Sequence, residues 1–330
     1  MKRRIVPFLL SLAMMILPSC GDHSADFFHI TVRYPGDGAA QEDVMTQQEF
    51  FELLPSLEKN AITVNHTKSD GSAVIGQSRI GGEADLPADF KWPTYYGMGA
   101  LDDEKATRPL TFMAQINLEE VHPYDADNLL PERGMLYFFY DMETMRWGYD
   151  PEDEGCCRVY YVEDTTSLTR TTPPDDSLIL PERALSFASQ VSYPSFTEID
   201  QMYSVVWEDD SPWETYDGTV RSLGGIVSES VGMNSRLLGY PELIQNAIWE
   251  ECELASTGTY TGRGFPKMSG AERADLARRG EEWTLLFQFG SILDGEDEVM
   301  FGDLGSIFFC IRKEDLAARK FDDVWLILQC

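Results

Sequence analysis

Positive charge is what this chain has least of. Its 330 residues carry 26 Lys and Arg against 56 Asp and Glu, a formal net charge of −30. Such a surface repels phosphate backbones and anionic lipid faces, so DNA and RNA are excluded as electrostatic partners. Histidine is scarcer still. The four, His23, His29, His66 and His122, lie far apart, and no HExxH helix or Cys/His cluster at zinc spacing occurs. No metal or cofactor is therefore expected. CxxC and the Gly-x-Ser-x-Gly elbow are also missing, and Gly258-x-x-x-Gly262-x-Gly264 lacks the Lys-Ser or Lys-Thr of a phosphate-binding loop. That segment reads as a plain glycine-rich loop. No catalytic constellation can be read from the sequence.

What the chain does have begins at its start. Lys2, Arg3 and Arg4 precede an apolar run from Ile5 to Leu17, then Pro18-Ser19-Cys20-Gly21. The run is shorter than the roughly 20 residues that span a bilayer and is the size of a signal-peptide core. Leu17, Ser19 and Cys20 stand where a lipobox places its residues, with Pro18 as the one departure. We expect a signal peptide at 1–19, lipidation of Cys20 and a tether over 20–42, placing the protein on a membrane surface of the bacterial cell envelope. The alternative is ordinary secretion with a coincidental Cys. Losing three basic residues with the signal makes the remainder more acidic still. Cys156, Cys157, Cys252, Cys310 and Cys330 remain, an odd number that leaves at least one thiol unpaired or bridged between chains.

Residues 43–330 hold enough apolar material for one globular domain, with 43% hydrophobic and 12% aromatic residues overall. Thr46-x-x-Glu49 and Ser269-x-x-Glu272 are capping boxes that open helices. Apolar runs at 110–116, 134–140, 158–162, 283–289, 305–311 and 324–329 predict buried strands. Residues 61–64 and 72–76 predict strands, and Phe28 to Tyr34 an early one. Trp92 is expected to pin the loop over 80–93. Helices are expected over Glu182 to Val191, Phe196 to Trp207, Pro241 to Cys252 and Glu314 to Lys320. The fold class is α+β with mainly antiparallel sheets. Aligning Gln115 with Gln288 brings Thr111 onto Thr284. Each Gln closes an apolar run, and each is followed at similar spacing by a glycine (Gly134, Gly305) that opens an aromatic strand. This predicts an internal duplication, with halves at 60–165 and 255–330 bridged by helices within 181–253.

The segments Ile80-Gly81-Gly82 to Trp92-Pro93, Arg108-Pro109-Leu110 to Leu118, Leu130-Pro131-x-x-Gly134 to Asp141, Trp147-Gly148, Leu238-Gly239-Tyr240-Pro241 and Gly302-Asp303-x-Gly305 resemble, in order, the YwqG-like family of bacterial domains of unknown function. The resemblance covers about residues 60–330. It implies a compact α+β fold without an established catalytic activity, some members being suspected immunity proteins. The chain departs from the family pattern at Gly290 and Phe301.

Candidate binding residues are Gln115, Trp147, Asp150, Gln288 and Asp303. The two glutamines and Asp303 lie beside apolar runs, where a buried polar group must find a partner. Their expected job is to close backbone hydrogen bonds at strand ends, with ligand contact as the alternative. Asp150-Pro-Glu152-Asp153-Glu154 is dense in carboxylates but lacks the alternating ligands and central glycine of a calcium loop, so a solvated turn is expected. Two functions follow as expectations: a non-catalytic or immunity-like binding protein whose acidic surface meets a basic partner such as a toxin, or an envelope hydrolase using carboxylates such as Asp150 and Asp303.

Overall fold

The computed structural model describes residues 44–99, 104–175, 179–228, 231–295 and 298–330. The signal segment, Cys20 and the strand expected at 28–34 lie outside them.

In chain order the strands are β1 (Met45–Thr46), β2 (Lys59–Lys68), β3 (Arg79–Ile80), β4 (Ala84–Leu86), β5 (Thr94–Met98), β6 (Lys105–Pro109), β7 (Thr111–Asn117) and β8 (Met135–Tyr140). Then come β9 (Cys157–Val162), β10 (Thr169–Thr171), β11 (Arg183–Ser192), β12 (Val205–Val206), β13 (Arg236–Leu237), β14 (Trp283–Gly290), β15 (Ser306–Arg312) and β16 (Trp325–Gln329). Helices are α1 (Gln47–Leu53), α2 (Leu118–Val121), α3 (Phe196–Met202), α4 (Pro212–Ser222), α5 (Trp249–Ser256), α6 (Gly270–Gly280) and α7 (Lys313–Ala317).

Ten strands form one antiparallel sheet in the order β9-β8-β7-β3-β11-β2-β13-β14-β15-β16. The long pair β2–β11 lies at its centre. The outer wings curl toward each other until their inner faces meet: the Phe138 ring of β8 sits 4.8 Å from Phe287 and 5.2 Å from Phe309. Main-chain groups join the wings as well. Leu328 N–H donates to Trp147 O at 3.0 Å, and the Trp325 indole donates to Gly148 O at 2.8 Å.

Strand alternation assigns each wing its two faces. In β15, Ile307, Phe309 and Ile311 face the space between the wings, whereas Phe308 and Cys310 pack beneath α5 with Ile248, Cys252 and Ala255. Both faces are buried, which is why these strands read as unbroken apolar runs. The outer face of β8 is covered by the segment before β5: Phe90 stacks on Phe139 at 6.1 Å, and Trp92 meets the same ring edge-on while donating to Leu110 O at 2.8 Å. A separate cluster of Phe50, Ile199, Trp207, Tyr216 and Val220 holds α1, α3 and α4 together.

Both expected capping boxes form, at Thr46–Glu49 and Ser269–Glu272, and a third forms at Ser195–Glu198. Four expectations need correction. Residues 182–191 are not a helix but most of β11, whose Leu185, Phe187 and Val191 follow the period of a strand and pack on the core side. Of Pro241 to Cys252 only the end is helical, because α5 starts at Trp249. Upstream of it the N–H groups of residues 242, 244 and 245 are held by glutamine side chains instead. The helix from Phe196 stops at Met202, and 72–76 is a loop rather than a strand. The segment expected to bridge the halves with helices, 181–253, therefore holds two sheet strands, β11 and β13, along with α3 and α4.

Candidate functional site

The two glutamines of the predicted repeat occupy matching places. Gln115 on β7 and Gln288 on β14 are fully buried. Gln115 Oε1 accepts from Asp85 N–H at 2.8 Å, and its amide donates to Gln77 O at 2.7 Å. Gln288 Oε1 accepts from Glu242 N–H at 2.8 Å, and its amide donates to Asn234 O at 3.0 Å. Each acidic residue so held forms an ion pair with an arginine six positions earlier, Asp85 with Arg79 and Glu242 with Arg236. Those arginines are the register partners of the glutamines on β3 and β13. A serine precedes each arginine, and its hydroxyl accepts a main-chain N–H two residues past the glutamine: Asn117 to Ser78 and Gly290 to Ser235. Each of β7 and β14 also carries a β-bulge at the same place, just before its glutamine.

The duplication thus extends to a motif that strand spacing alone did not expose: Ser78-Arg79-Ile80-x-Gly82 with Asp85, and Ser235-Arg236-Leu237-x-Gly239 with Glu242. Gly290, a departure from the family pattern, has no room for a side chain, since a Cβ there would lie 2.6 Å from Asn234 N. A third buried glutamine, Gln329, accepts from the N–H groups of Ile244 and Gln245 and donates to Asn246 O.

The two nodes differ in how they are closed. Burial works to raise the Asp85 carboxyl, but hydrogen bonds from Arg170, Gly76 N–H and Gln115 together with the Arg79 charge bring it below its ordinary value. Arg170, on β10, reaches Asp85 Oδ1 at 2.7 Å and seals this node. Arg236 is pushed down to about 10 by burial. The second node lies under a small cleft of about 200 Å³ lined by Thr63, Gln190, Ser228, Asn234, Arg236 and Glu242.

The remaining candidates lie elsewhere. Asp150 caps a short 3-10 turn, accepting Glu152 N–H at 2.9 Å. Its neighbour Asp153 is buried and raised to about 6 by desolvation, although Gly148 N–H donates to it at 3.0 Å. Trp147 is half-buried and packs 5.9 Å from Tyr149. Asp303 is exposed on the turn before β15. Among the described residues no group of three or more His, Cys, Asp or Glu is placed to hold a metal ion. Beside the Asp150 turn, Tyr96 of the β5–β6 hairpin stands 65% exposed, and Lys105 of the same hairpin pairs with Glu152 at 2.9 Å. Arg108 anchors the hairpin from below through a buried ion pair with Asp141 and bonds to Gly97 O and Met98 O.

A single antiparallel sheet built from two matching sets of strands, each with a buried arginine–carboxylate–glutamine node, defines a duplicated α+β domain. The chain belongs to the family described as domain of unknown function DUF1963, whose model matches residues 78–330. The match starts on the serine of the first node and leaves out β2, which the topology places at the sheet centre. No curated protein matches the chain.

Proposed function

We propose that this protein is a YwqG-like lipoprotein, anchored through Cys20 at the cell envelope, whose globular domain binds a basic protein partner in an immunity-like role. The supporting observation is the corner formed by the β5–β6 hairpin and the turn after Trp147. Here the hairpin that carries the exposed Tyr96 is joined to the acidic turn through Lys105–Glu152 and through the Tyr95 hydroxyl, which donates to Glu152 O, and the turn's Asp150 and Glu154 form no ion pair among the described residues. Tyrosine is enriched among the anchors of protein interfaces, with charged groups gathered at their rim. A net charge of −30 would speed the approach of a cationic partner. Gln115 and Gln288 are occupied in holding the backbone, and the recognition surface is this corner.

The test is affinity capture from envelope extracts, with the wild type and a Tyr96→Ala/Asp150→Asn/Glu154→Gln variant compared at two salt concentrations. A basic protein retained by the wild type, released by salt and lost from the variant supports the reading. Equal retention by both forms overturns it.

A further inference from the structure

Three cations gather around a cavity of about 550 Å³ beneath α7, although the molecule as a whole is strongly acidic. That volume lies in the range of small-molecule sites. Lys59, Lys313 and Arg319 line it together with one carboxylate, Asp127, and an apolar wall of Leu129, Leu130, Pro131 and Leu316. Leu129 is 44% exposed.

Lys59 is the unusual group. It opens β2, and its ammonium lies 4.0 Å above the centroid of the Tyr240 ring. Among the described residues the ammonium makes no hydrogen bond and no ion pair. The ring is fixed in place by the main chain. Tyr240 N–H donates to Ser192 Oγ, which itself donates to Lys59 O. Gly239 permits this approach, since its φ is +69° and a Cβ would fall 2.6 Å from both Ala61 Cβ and Ser192 Oγ.

The carboxylates nearest Lys59 are already engaged. Glu198 accepts from Ser195 N–H and from the Trp249 indole, each at 2.8 Å, and Asp127 accepts from Asn60 N–H at 3.2 Å. Burial holds the Lys59 pKa below its ordinary value; Glu198 and Asp127 oppose this, and Lys313 adds to it. A half-buried cation resting on an aromatic face, open to a cavity and short of a counter-ion, is a site that an anion would complete. Lys313 and Arg319 stand exposed at the rim, and neither forms an ion pair among the described residues.

We propose that this cavity binds a small organic carboxylate with an apolar body. The carboxylate meets Lys59 and the rim cations, and the hydrocarbon lies along Leu129, Leu130, Pro131 and Leu316. Ammonium groups are compact point charges and suit a monoanion here. A phosphate dianion would find one exposed arginine and no cluster of N–H donors, would face Asp127 and would leave the apolar wall uncovered. The site is separate from the acidic corner and stands or falls independently of the partner proposed for it.

Isothermal titration of the purified protein with sodium octanoate, inorganic phosphate and octyltrimethylammonium provides the test. Octanoate should bind at one site, with phosphate and the cationic amphiphile each weaker by about tenfold or more. Lys59→Met should weaken octanoate by about tenfold or more while leaving the far-ultraviolet circular dichroism unchanged. If that variant does not fold, the double change Lys313→Gln/Arg319→Gln, at two exposed positions, gives the same reading. Failure of octanoate to bind, binding equal to that of the cationic amphiphile, or unchanged octanoate affinity in a folded variant overturns the proposal. Phosphate binding as tightly as octanoate overturns the apolar part of it.

Discussion

Asn65 and Ser186 face each other across the β2–β11 pair at the point where the two repeats exchange places. The registers establish this. Arg79 pairs with Ala184 on β11, and its counterpart Arg236 pairs with Thr63 on β2. Ala184 and Thr63 are therefore equivalent, and two residues further along each strand stand Ser186 and Asn65. A local twofold axis crosses the sheet between them. Each repeat consequently lends its first strand to the other: β2 pairs with β13 of the second repeat, and β11 with β3 of the first.

The glutamines should behave as paired structural elements. Gln115→Leu and Gln288→Leu each leave a buried N–H and a buried carbonyl without a partner, at an expected cost of about 1–3 kcal/mol. Urea unfolding measures it. A cost near zero in both variants would show that the node is held by its ion pair alone.

Asp85→Asn should be more damaging than either, by about 3–5 kcal/mol, because it strands the fully buried Arg79 and also frees Arg170. Burial lowers the Arg79 pKa despite the attraction of Asp85, but arginine stays charged throughout, so the pH-dependent part belongs to the carboxylate. Its folded value lies below the ordinary one. The stabilisation is therefore complete above the unfolded value of roughly 3.9 and is lost as pH falls through the lower folded value. The acid limb of the stability profile should be shallower in Asp85→Asn, and an unchanged limb would contradict this.

Glu251 on α5 should act in the opposite sense. Desolvation, aided by Glu250, raises it to about 8, and its Oε2 finds no hydrogen-bond partner among the described residues. The folded protein keeps this proton up to about pH 8, whereas the unfolded chain loses it near roughly pH 4.3. Stability should therefore fall as pH rises through that window. Glu251→Gln should add about 2–4 kcal/mol on the alkaline side of it and little on the acid side. An equal gain at both ends would point to a cause other than ionisation.

Gly148 joins the wings and tolerates no side chain. Its φ is +80°, and a Cβ would sit 1.7 Å from Leu326 O. Its carbonyl takes the Trp325 indole and its N–H binds Asp153. Gly148→Ala should cost about 3 kcal/mol or more, read as a lowered thermal midpoint. A loss confined to a few tenths would mean that the wings separate easily.

For the anchor, Cys20→Ser should move the protein from the detergent-requiring membrane fraction to the soluble one, since acyl chains supply the membrane affinity. Full retention in the membrane would remove lipidation of Cys20 as its cause.

Much of the fold was legible because β7, β8, β14, β15 and β16 are buried on both faces and announce themselves as apolar runs. The capping boxes were equally plain, since a Ser or Thr and a Glu three residues on satisfy each other locally. β11 is hard to see in the sequence because Pro181 stands just before it, where a proline can also open a helix, although Leu185, Phe187 and Val191 recur at the period of a strand. The 241–248 segment was misread for a similar reason, its N–H groups being satisfied by glutamines distant in sequence. The nodes could have been found from the recurrence of Ser-Arg, a glycine three residues past the arginine and an acid six residues past it. The cavity around Lys59 could not, since its cations come from the two ends of the chain and its carboxylate from between them.

Exchange of the first strands has a consequence for synthesis. When β3 and β7 leave the ribosome, the strand that completes their side of the sheet, β11, has yet to emerge, and β2 waits longer still for β13. Neither repeat can bury its own edge, so the nascent chain carries exposed pairing edges through most of its translation. The second repeat supplies the missing neighbours, and the protein should become protease-resistant in one late step rather than half by half.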